Sequence, residues 1–534
     1  MSNLVRSVGT IGGLTAVSRV FGFARDMLLA RVLGAGLAAD AWQLAFTLPN
    51  TFRRLFAEGA FSVAFVPMYT RRLHAEDGGG EEAADRFAND VLAIFIWVLL
   101  GFSAVAMLAM SPIVWLLARE YQDVPGKFEL SVSLSRITFP YLALVSLVAM
   151  LSGLLNARSR FAPGALVPVL LNIVLITGIG AGWYLREYQG GSDITVAYAQ
   201  AIALSAAGVA QLVYMWWATN RAGVRLKVRL PKLTPEVRRL GMLILPATFG
   251  AGIYQISQLV DTFFATSLPQ GSLTLLKMAD RLNQMPLGIF GIALGTAILP
   301  MLARHIQSGD DREAQRLQGN AIEIAMLLCL PAAVALAICA EAFTTGIFQG
   351  GKMTLADTTI MGEIVIALVA GLPAYVLIKV FQPAFFSRED TRTPVWVAAG
   401  ALTINIAINF YVVPRYGIVG LAGATAFTAW LNVTSLYVIL QMRGWFRMTS
   451  KLAGRIARQI AATAVMAGVL SFLTPMLESW WQGGAGTRIG ALAILVLTGA
   501  IAFFAAAFLF GALDKDLIAQ LRRRRPPRSV DLAE

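Results

Sequence analysis

Two histidines and two cysteines are all that the 534 residues offer to metal or thiol chemistry. His74 and His305 fall in polar stretches, so no histidine-centred catalysis or zinc site is available within an apolar segment. Cys329 and Cys339 share one apolar segment without metal-ligand spacing and read as inert packing residues. Charge is scarce too: 14% of residues are charged, against 57% hydrophobic, with a mean hydropathy of +0.66. A soluble protein needs more polar surface than that. No polar stretch is long enough for a nucleotide-hydrolysing or glycosyltransferase domain. The stretch "GIFQGGKMT" (Gly346–Thr354) has the glycine and lysine spacing of a P-loop, but Met353 stands where the Mg²⁺-binding Ser/Thr is required. Strands of about ten alternating residues, the mark of a membrane barrel, are also missing.

What is present is a succession of apolar runs, each long enough to cross a bilayer core of ~30 Å. The pattern predicts an all-α polytopic membrane protein of fourteen transmembrane helices, at 8–33, 40–70, 88–118, 132–155, 163–185, 194–217, 239–266, 272–303, 317–347, 359–386, 394–413, 417–441, 457–476 and 487–512. The start "MSNLVRSVGTIGG" has no cleavage site after its apolar core and reads as a retained first helix. Lys and Arg crowd alternate loops, among them "NRAGVRLKVRLPKLTPEVRR", "SREDTRT" and the tail "LRRRRPPR". The opposite set holds only Arg119, Lys127, Arg186, Lys352, Arg415 and Arg488. The positive-inside rule then places the basic loops and both termini in the cytoplasm. The net charge of +13 is accordingly an orientation device and a contact for anionic headgroups, not a nucleic-acid surface.

An internal repeat shows through. "FVPMYTR" (Phe65–Arg71) aligns with "ILPMLAR" (Ile298–Arg304), and the same offset lays Asn50 on Asn283. Further along, Asn172 and Asn405 close matching segments. An even number of helices separates the copies, which predicts parallel repeats about an axis along the membrane normal. The implied plan is two six-helix lobes around a central cavity plus a two-helix C-terminal pair. The boundaries are an N-lobe at 1–220, a basic cytoplasmic linker at 221–238, a C-lobe at 239–441, helices 13 and 14 within 442–512, and a basic tail at 513–534.

Charges inside these helices need a reason, because one at the centre of a lone helix costs about 2.5–3.5 kcal/mol on insertion scales. In "SRVFGFARD", Ser18, Gly22 and Arg25 share one stripe, and Arg19 and Asp26 share the next. Small residues on the first stripe admit a close neighbour. The second helix carries Asp40, Asn50, Arg53, Arg54 and Glu58, with Arg54 and Glu58 spaced as a structural pair. Asp280 and Arg281 follow in the eighth helix and Lys379 in the tenth. After Asp26 is assigned to orient Arg19 or Arg25, four arginines (Arg19, Arg25, Arg53, Arg281) outnumber their carboxylates. Arginine keeps its charge when buried and grips phosphate oxygens in pairs, so the excess points to an anionic, phosphorylated substrate. Asp261, Asn405, Asn409 and Thr425 supply oxygens for a Na⁺ ion or a proton, with ordinary helix–helix hydrogen bonding as the plainer reading of the asparagines.

The segments "SRVFGFARDMLLARVLGAGLAADAW", "LPNTFRRLFAEGAFSVAFVPMYT", "MADRLNQMPLGIFGIALGTAILPMLAR" and "VFQPAFFSREDTRTPVWVA" resemble the MurJ (MviN) family along essentially the whole chain. These are lipid II flippases of the multidrug/oligosaccharidyl-lipid/polysaccharide exporter superfamily. The resemblance implies a bacterial inner-membrane protein of cell-wall biogenesis that is not an enzyme. It moves undecaprenyl-diphosphate-linked disaccharide-pentapeptide to the periplasmic leaflet by alternating access, its lipid tail along helices 13 and 14. It also implies that Arg19, Arg25, Arg53, Arg281 and Ser18 meet the substrate, beside Asp26, Asp40, Asn50, Arg54, Glu58, Asp280 and Lys379. Asn409 stands where a second acid would complete the family's cation site, which weighs against Na⁺ and leaves proton or potential coupling at least equal to it. The expected state is a monomer among membrane lipids, with the cell-wall synthesis machinery a candidate associate. The alternative is an ion-coupled exporter of another polyprenyl-linked saccharide or of drugs, though a drug exporter's cavity would be acidic and aromatic.

Overall fold

The computed structural model describes residues 2–54, 61–75, 80–224, 226–481 and 483–512. Regular structure in them is helical, apart from one isolated bridge between Gly350 and Met353. Nine helices among the described residues are long and apolar enough to cross a membrane. Trp97, Val98, Leu100 and Leu108 are exposed along one of them, as a lipid-facing stripe requires.

The chain divides into two compact units. The first holds the chain up to Arg281 together with Phe348–Ile360 and Leu402–Leu421. Its helices are α1 (Ser2–Leu33), α2 (Leu37–Arg53), α3 (Ser62–Leu73), α4 (Glu81–Leu108), α5 (Met110–Leu117), α6 (Lys127–Thr138), α7 (Pro140–Ala157), α8 (Ala162–Tyr188), α9 (Asp193–Arg221), α10 (Pro235–Thr266) and most of α11 (Ser272–Pro286). The expected single segment at 132–155 falls within one membrane-length stretch, Lys127–Ala157, whose helical ladder is interrupted between α6 and α7 because Pro140 brings no N–H. Thr138 at the break gives its hydroxyl to the Ala45 carbonyl at 2.8 Å, which pins α6 to α2. Helix α8 packs on both α1 and α9. One core gathers Leu29, Leu33, Trp42, Leu134, Leu175 and Val196. A second is aromatic, with Phe61 stacked on Phe95 and Phe65.

The second unit holds Leu282–Ile347, Met361–Ala401 and the chain from Ala422. A π-helical turn, Leu287–Gly291, leads into α12 (Ile292–Gln307), followed by α13 (Asp311–Ile338), α14 (Ala340–Phe348), α15 (Leu355–Val369) and α16 (Leu372–Phe386). The long α17 (Arg392–Met442), whose stretch Leu402–Leu421 belongs to the first unit, turns at Gly417, where φ of 56° with ψ of −141° requires glycine, at the start of the segment expected at 417–441. The chain ends in α18 (Ser450–Met476), the short α19 (Glu478–Trp481) and α20 (Ala485–Leu509). Helices α18 and α20 pack on each other, and Met466, Leu470, Leu495 and Phe503 join Leu327 of α13 in one core. Cys329 and Cys339 are free thiols, both buried.

Candidate functional site

The stripe on α1 makes a specific constellation. Arg25 is 7% exposed, and its guanidinium reaches Asp26 Oδ1 through Nε at 3.0 Å and Nη2 at 2.6 Å. Its remaining nitrogen, Nη1, donates to Asn172 Oδ1 of α8 at 3.0 Å. The Phe46 ring lies 5.7 Å from the guanidinium carbon. The other oxygen of Asp26 accepts from Arg281 Nε at 2.9 Å. One carboxylate is thus shared by two arginines, and the trio carries one net positive charge. Arg25 is nearly enclosed, whereas the Arg281 side chain is 44% exposed and presents the charge outward.

Other expected residues extend this face or fall elsewhere. Ser18 enters through its backbone: its carbonyl accepts from Asn172 Nδ2 at 3.1 Å. Arg19 is exposed on α1. At the end of α2, Asn50 Oδ1 accepts from Arg53 Nε at 3.0 Å, and Arg54 is the exposed C-cap. Glu58 lies outside the described residues. Asp280 and Asp261 both lie within electrostatic reach of Lys277 on α11, which also contacts the Thr262 hydroxyl at 3.5 Å. Asn409 is fully buried and donates to Asn405 Oδ1 at 3.0 Å. Lys379 and Thr425 belong to the second unit, where Lys379 is exposed on α16 and Gly295 of α12 approaches its backbone.

Asp40 is not with the arginines. Its side chain, 2% exposed, meets Lys127 Nζ at 2.9 Å. It also accepts from the Gly271 N–H at 2.8 Å, the Thr274 N–H at 3.1 Å and the Thr274 hydroxyl at 2.7 Å. A carboxylate at the first turn of α11 suits the unpaired N–H groups there. Lys127 also lies 3.9 Å from the Tyr121 ring centre. Burial, and then the Asp40 charge, push the Tyr121 phenol well above its ordinary range. Lys127, expected as a loop charge, is therefore one half of a buried pair, and only tertiary packing brings it to Asp40.

Two further residues carry no functional signal in the sequence. Asn172 appears there only as a repeat marker, yet it joins Arg25 to Ser18. Lys352, from the failed P-loop match, donates its backbone N–H to the Arg31 carbonyl at 2.8 Å and pairs with Asp193 at 2.6 Å. Arg186 shares Asp193 at 3.1 Å and reaches the Val32 carbonyl at 2.6 Å. That turn is a structural clasp on the end of α1. Among the described residues, no three His, Cys, Asp or Glu side chains gather as a metal site.

Comparison with known proteins supplies the family. The family model described as Lipid II flippase MurJ matches residues 29–509. The probable lipid II flippase MurJ of Rhizobium tropici is 38% identical over 533 residues, covering 99% of this chain and 98% of its own length. The lipid II flippase MurJ of Burkholderia cenocepacia is 31% identical over 515 residues, covering 96% of this chain and 97% of its own. Among solved structures, a lipid II flippase MurJ in an inward closed conformation matches with a TM-score of 0.76 at 23% identity, covering 95% of this chain and 99% of that one. An inward-facing multidrug resistance MATE family transporter of the MOP superfamily matches with a TM-score of 0.66 at 15% identity, covering 80% of this chain and 94% of that one. At such identities the two structures speak for the fold. Matched nearly end to end by relatives at 38% and 31% identity, and by the family model over 29–509, the chain belongs to the MurJ family of lipid II flippases.

Proposed function

We propose that this multi-pass membrane protein flips lipid II, carrying the undecaprenyl-diphosphate-linked precursor from the cytoplasmic to the periplasmic leaflet of the bacterial inner membrane. It is a transporter and not an enzyme, since the family it belongs to moves lipid between leaflets. The observation that supports the substrate class most directly is the shared carboxylate: Asp26 is bound by both Arg25 and Arg281, which leaves net positive charge beside apolar helix. A diphosphate supplies the missing negative charge and the paired oxygens that guanidinium groups favour. Arg281 and Arg19 meet it from exposed positions, Arg25 from its enclosed place on α1, Arg53 joins from the end of α2, and Ser18 adds a polar edge.

Fourteen crossings arranged as two lobes and a C-terminal pair give the cycle its parts. The headgroup binds while the cytoplasmic side is open, and rocking of the lobes carries it across. The tail follows the outer helices α18 and α20. The basic loops hold both termini in the cytoplasm. The coupling candidates are Asp261, Asn405 and Asn409 in the first unit and Thr425 in the second. With Asp261 the one carboxylate among them, a proton or the membrane potential stands at least equal to Na⁺ as the driving force; one elementary charge moved across 100 mV yields ~2.3 kcal/mol.

Lipid II exposure on the outer leaflet tests this reading, in cells where this protein is the sole flippase. Arg281→Ala and Arg25→Ala, matched to the parent in membrane abundance, are expected to lose exposure at least about tenfold while precursor accumulates inside. Parental exposure in both variants would sink the diphosphate assignment.

A further inference from the structure

Asn172 lies in α8 with 6% of its surface exposed, and both ends of its amide are committed. Oδ1 accepts from Arg25 Nη1 at 3.0 Å, and Nδ2 donates to the Ser18 carbonyl at 3.1 Å. Swapping oxygen and nitrogen would set donor against donor at one end and acceptor against acceptor at the other, so the orientation is fixed. Gly22 makes the room: a Cβ there would lie 3.4 Å from Asn172 Nδ2. Ser18, Gly22 and Arg25 thus form one continuous stripe on α1 that receives a single side chain from α8.

The geometry points to Asn172 as the residue that aims Arg25 at the diphosphate, a positioning role that rests on the function proposed above. Arg25 and Asp26 are adjacent on a helix, and such neighbours do not face each other. Asp26 therefore draws the guanidinium around α1, with Nε and Nη2 both bonded to Oδ1. Two bonds to a single oxygen leave the planar group free to swing about that atom. Asn172 holds the far nitrogen and stops the swing. Of the five N–H groups on an arginine, three are then engaged, and one remains on each terminal nitrogen. That remaining pair is what Arg25 offers to two phosphate oxygens.

The choice of amide also follows. Asn172 fixes Arg25 without cancelling its charge, so the trio of Arg25, Asp26 and Arg281 stays net positive. A carboxylate at the same point would accept the same hydrogen bond and remove that charge. An asparagine serving only to glue α8 to α1 would act on stability, independently of Arg25.

A double-mutant cycle separates the two roles. Undecaprenyl diphosphate is the probe, its affinity measured on the full chain in lipid nanodiscs for the parent, Asn172→Ala, Arg25→Ala and the double variant, alongside thermal unfolding. Asn172→Ala is expected to weaken binding about tenfold in the parent background and less than about twofold when Arg25 is already alanine. Equal losses in both backgrounds, or none in the parent, would overturn the positioning role. If Arg25→Ala itself binds like the parent, the diphosphate reading falls and the role of Asn172 falls with it. A loss confined to Arg25→Ala removes Asn172 alone. Asn172→Asp covers the case in which the alanine variant does not fold: it keeps the side-chain volume and the acceptor for Arg25, and gives up only the donor to the Ser18 carbonyl. It is expected to bind several-fold more weakly, with a shallower salt dependence. Parental affinity with the parental salt slope would also overturn the proposal.

Discussion

Asp40 and Lys127 form an ion pair at 2.9 Å in which each side chain is only 2% exposed. The pair ties the start of α2 to the start of α6. Through the Gly271 and Thr274 N–H groups, the same carboxylate also ties both to α11. Three helices far apart in the sequence thus meet at one oxygen pair. The buried Tyr121 ring lies against Lys127, its centre 3.9 Å from Nζ.

Lys127→Met is expected to destabilise the folded protein by about 3–5 kcal/mol, because it leaves a buried carboxylate without its countercharge. Thermal unfolding in detergent, followed by tryptophan fluorescence, would read this as a clear drop in midpoint. A midpoint within about 1 °C of the parent would mean that the three donors from Gly271 and Thr274 suffice for Asp40.

Asp26→Asn separates charge from geometry. The change raises the net charge of the Arg25–Asp26–Arg281 trio from one to two, so a simple attraction argument favours tighter anion binding. The shared carboxylate, however, is what holds two guanidiniums from α1 and α11 in one place. Lipid II exposure is expected to fall at least about tenfold, since misplaced groups lose more than added charge returns. Exposure above the parental level would show that Asp26 restrains the site instead of building it.

Much of this site is legible one residue at a time. Arg25, Asp26 and Arg281 stand out because a charge in an apolar helix needs a partner. The close approach at Gly22 follows from the small residues on its stripe. The pairings do not show, since Arg281 reaches Asp26, and Lys127 reaches Asp40, only after the helices pack. Asn172 is silent for another reason. An asparagine in an apolar helix is ordinary interhelical glue until its partner is known. Helix breaks are partly legible in the same way: Pro140 announces one and Pro286 another, but neither proline says that the turn after the second, Leu287–Gly291, is π-helical.

The clasp at the end of α1 predicts an inverted ranking of substitutions. Lys352→Ala removes a half-exposed ion pair with Asp193 and is expected to cost about 1 kcal/mol or less. Gly351→Ala removes no side-chain interaction, yet it is expected to cost more, about 1–2 kcal/mol or above. Gly351 has a φ of 57°, and a Cβ there would run into the Arg31 carbonyl. Unfolding midpoints of the two variants decide the order. If the lysine variant is the less stable, charge and not backbone fit holds the turn.

The loop after α16 gives a pH-dependent test. Asp390 accepts from the Thr393 N–H at 3.0 Å and the Thr393 hydroxyl at 2.6 Å, and it pairs with Arg443, so both ends of α17 meet on one carboxylate. Burial raises the Asp390 pKa. The bonds from Thr393 and the Arg443 charge together outweigh that and hold it at about 2, below the usual carboxylate range. A folded-state pKa below the unfolded one adds stability that is present above ~3.9 and is lost as pH falls towards about 2. Asp390→Asn is expected to cost about 1–2 kcal/mol between pH 5 and 8, solvent screening included. The gap from the parent should narrow from pH 4 downwards as the parental carboxyl takes up its proton. Unfolding midpoints of both proteins across that range provide the check. A gap that stays constant to pH 2 would mean that the lost hydrogen-bond shape, and not the carboxylate's charge, is what Asp390 contributes.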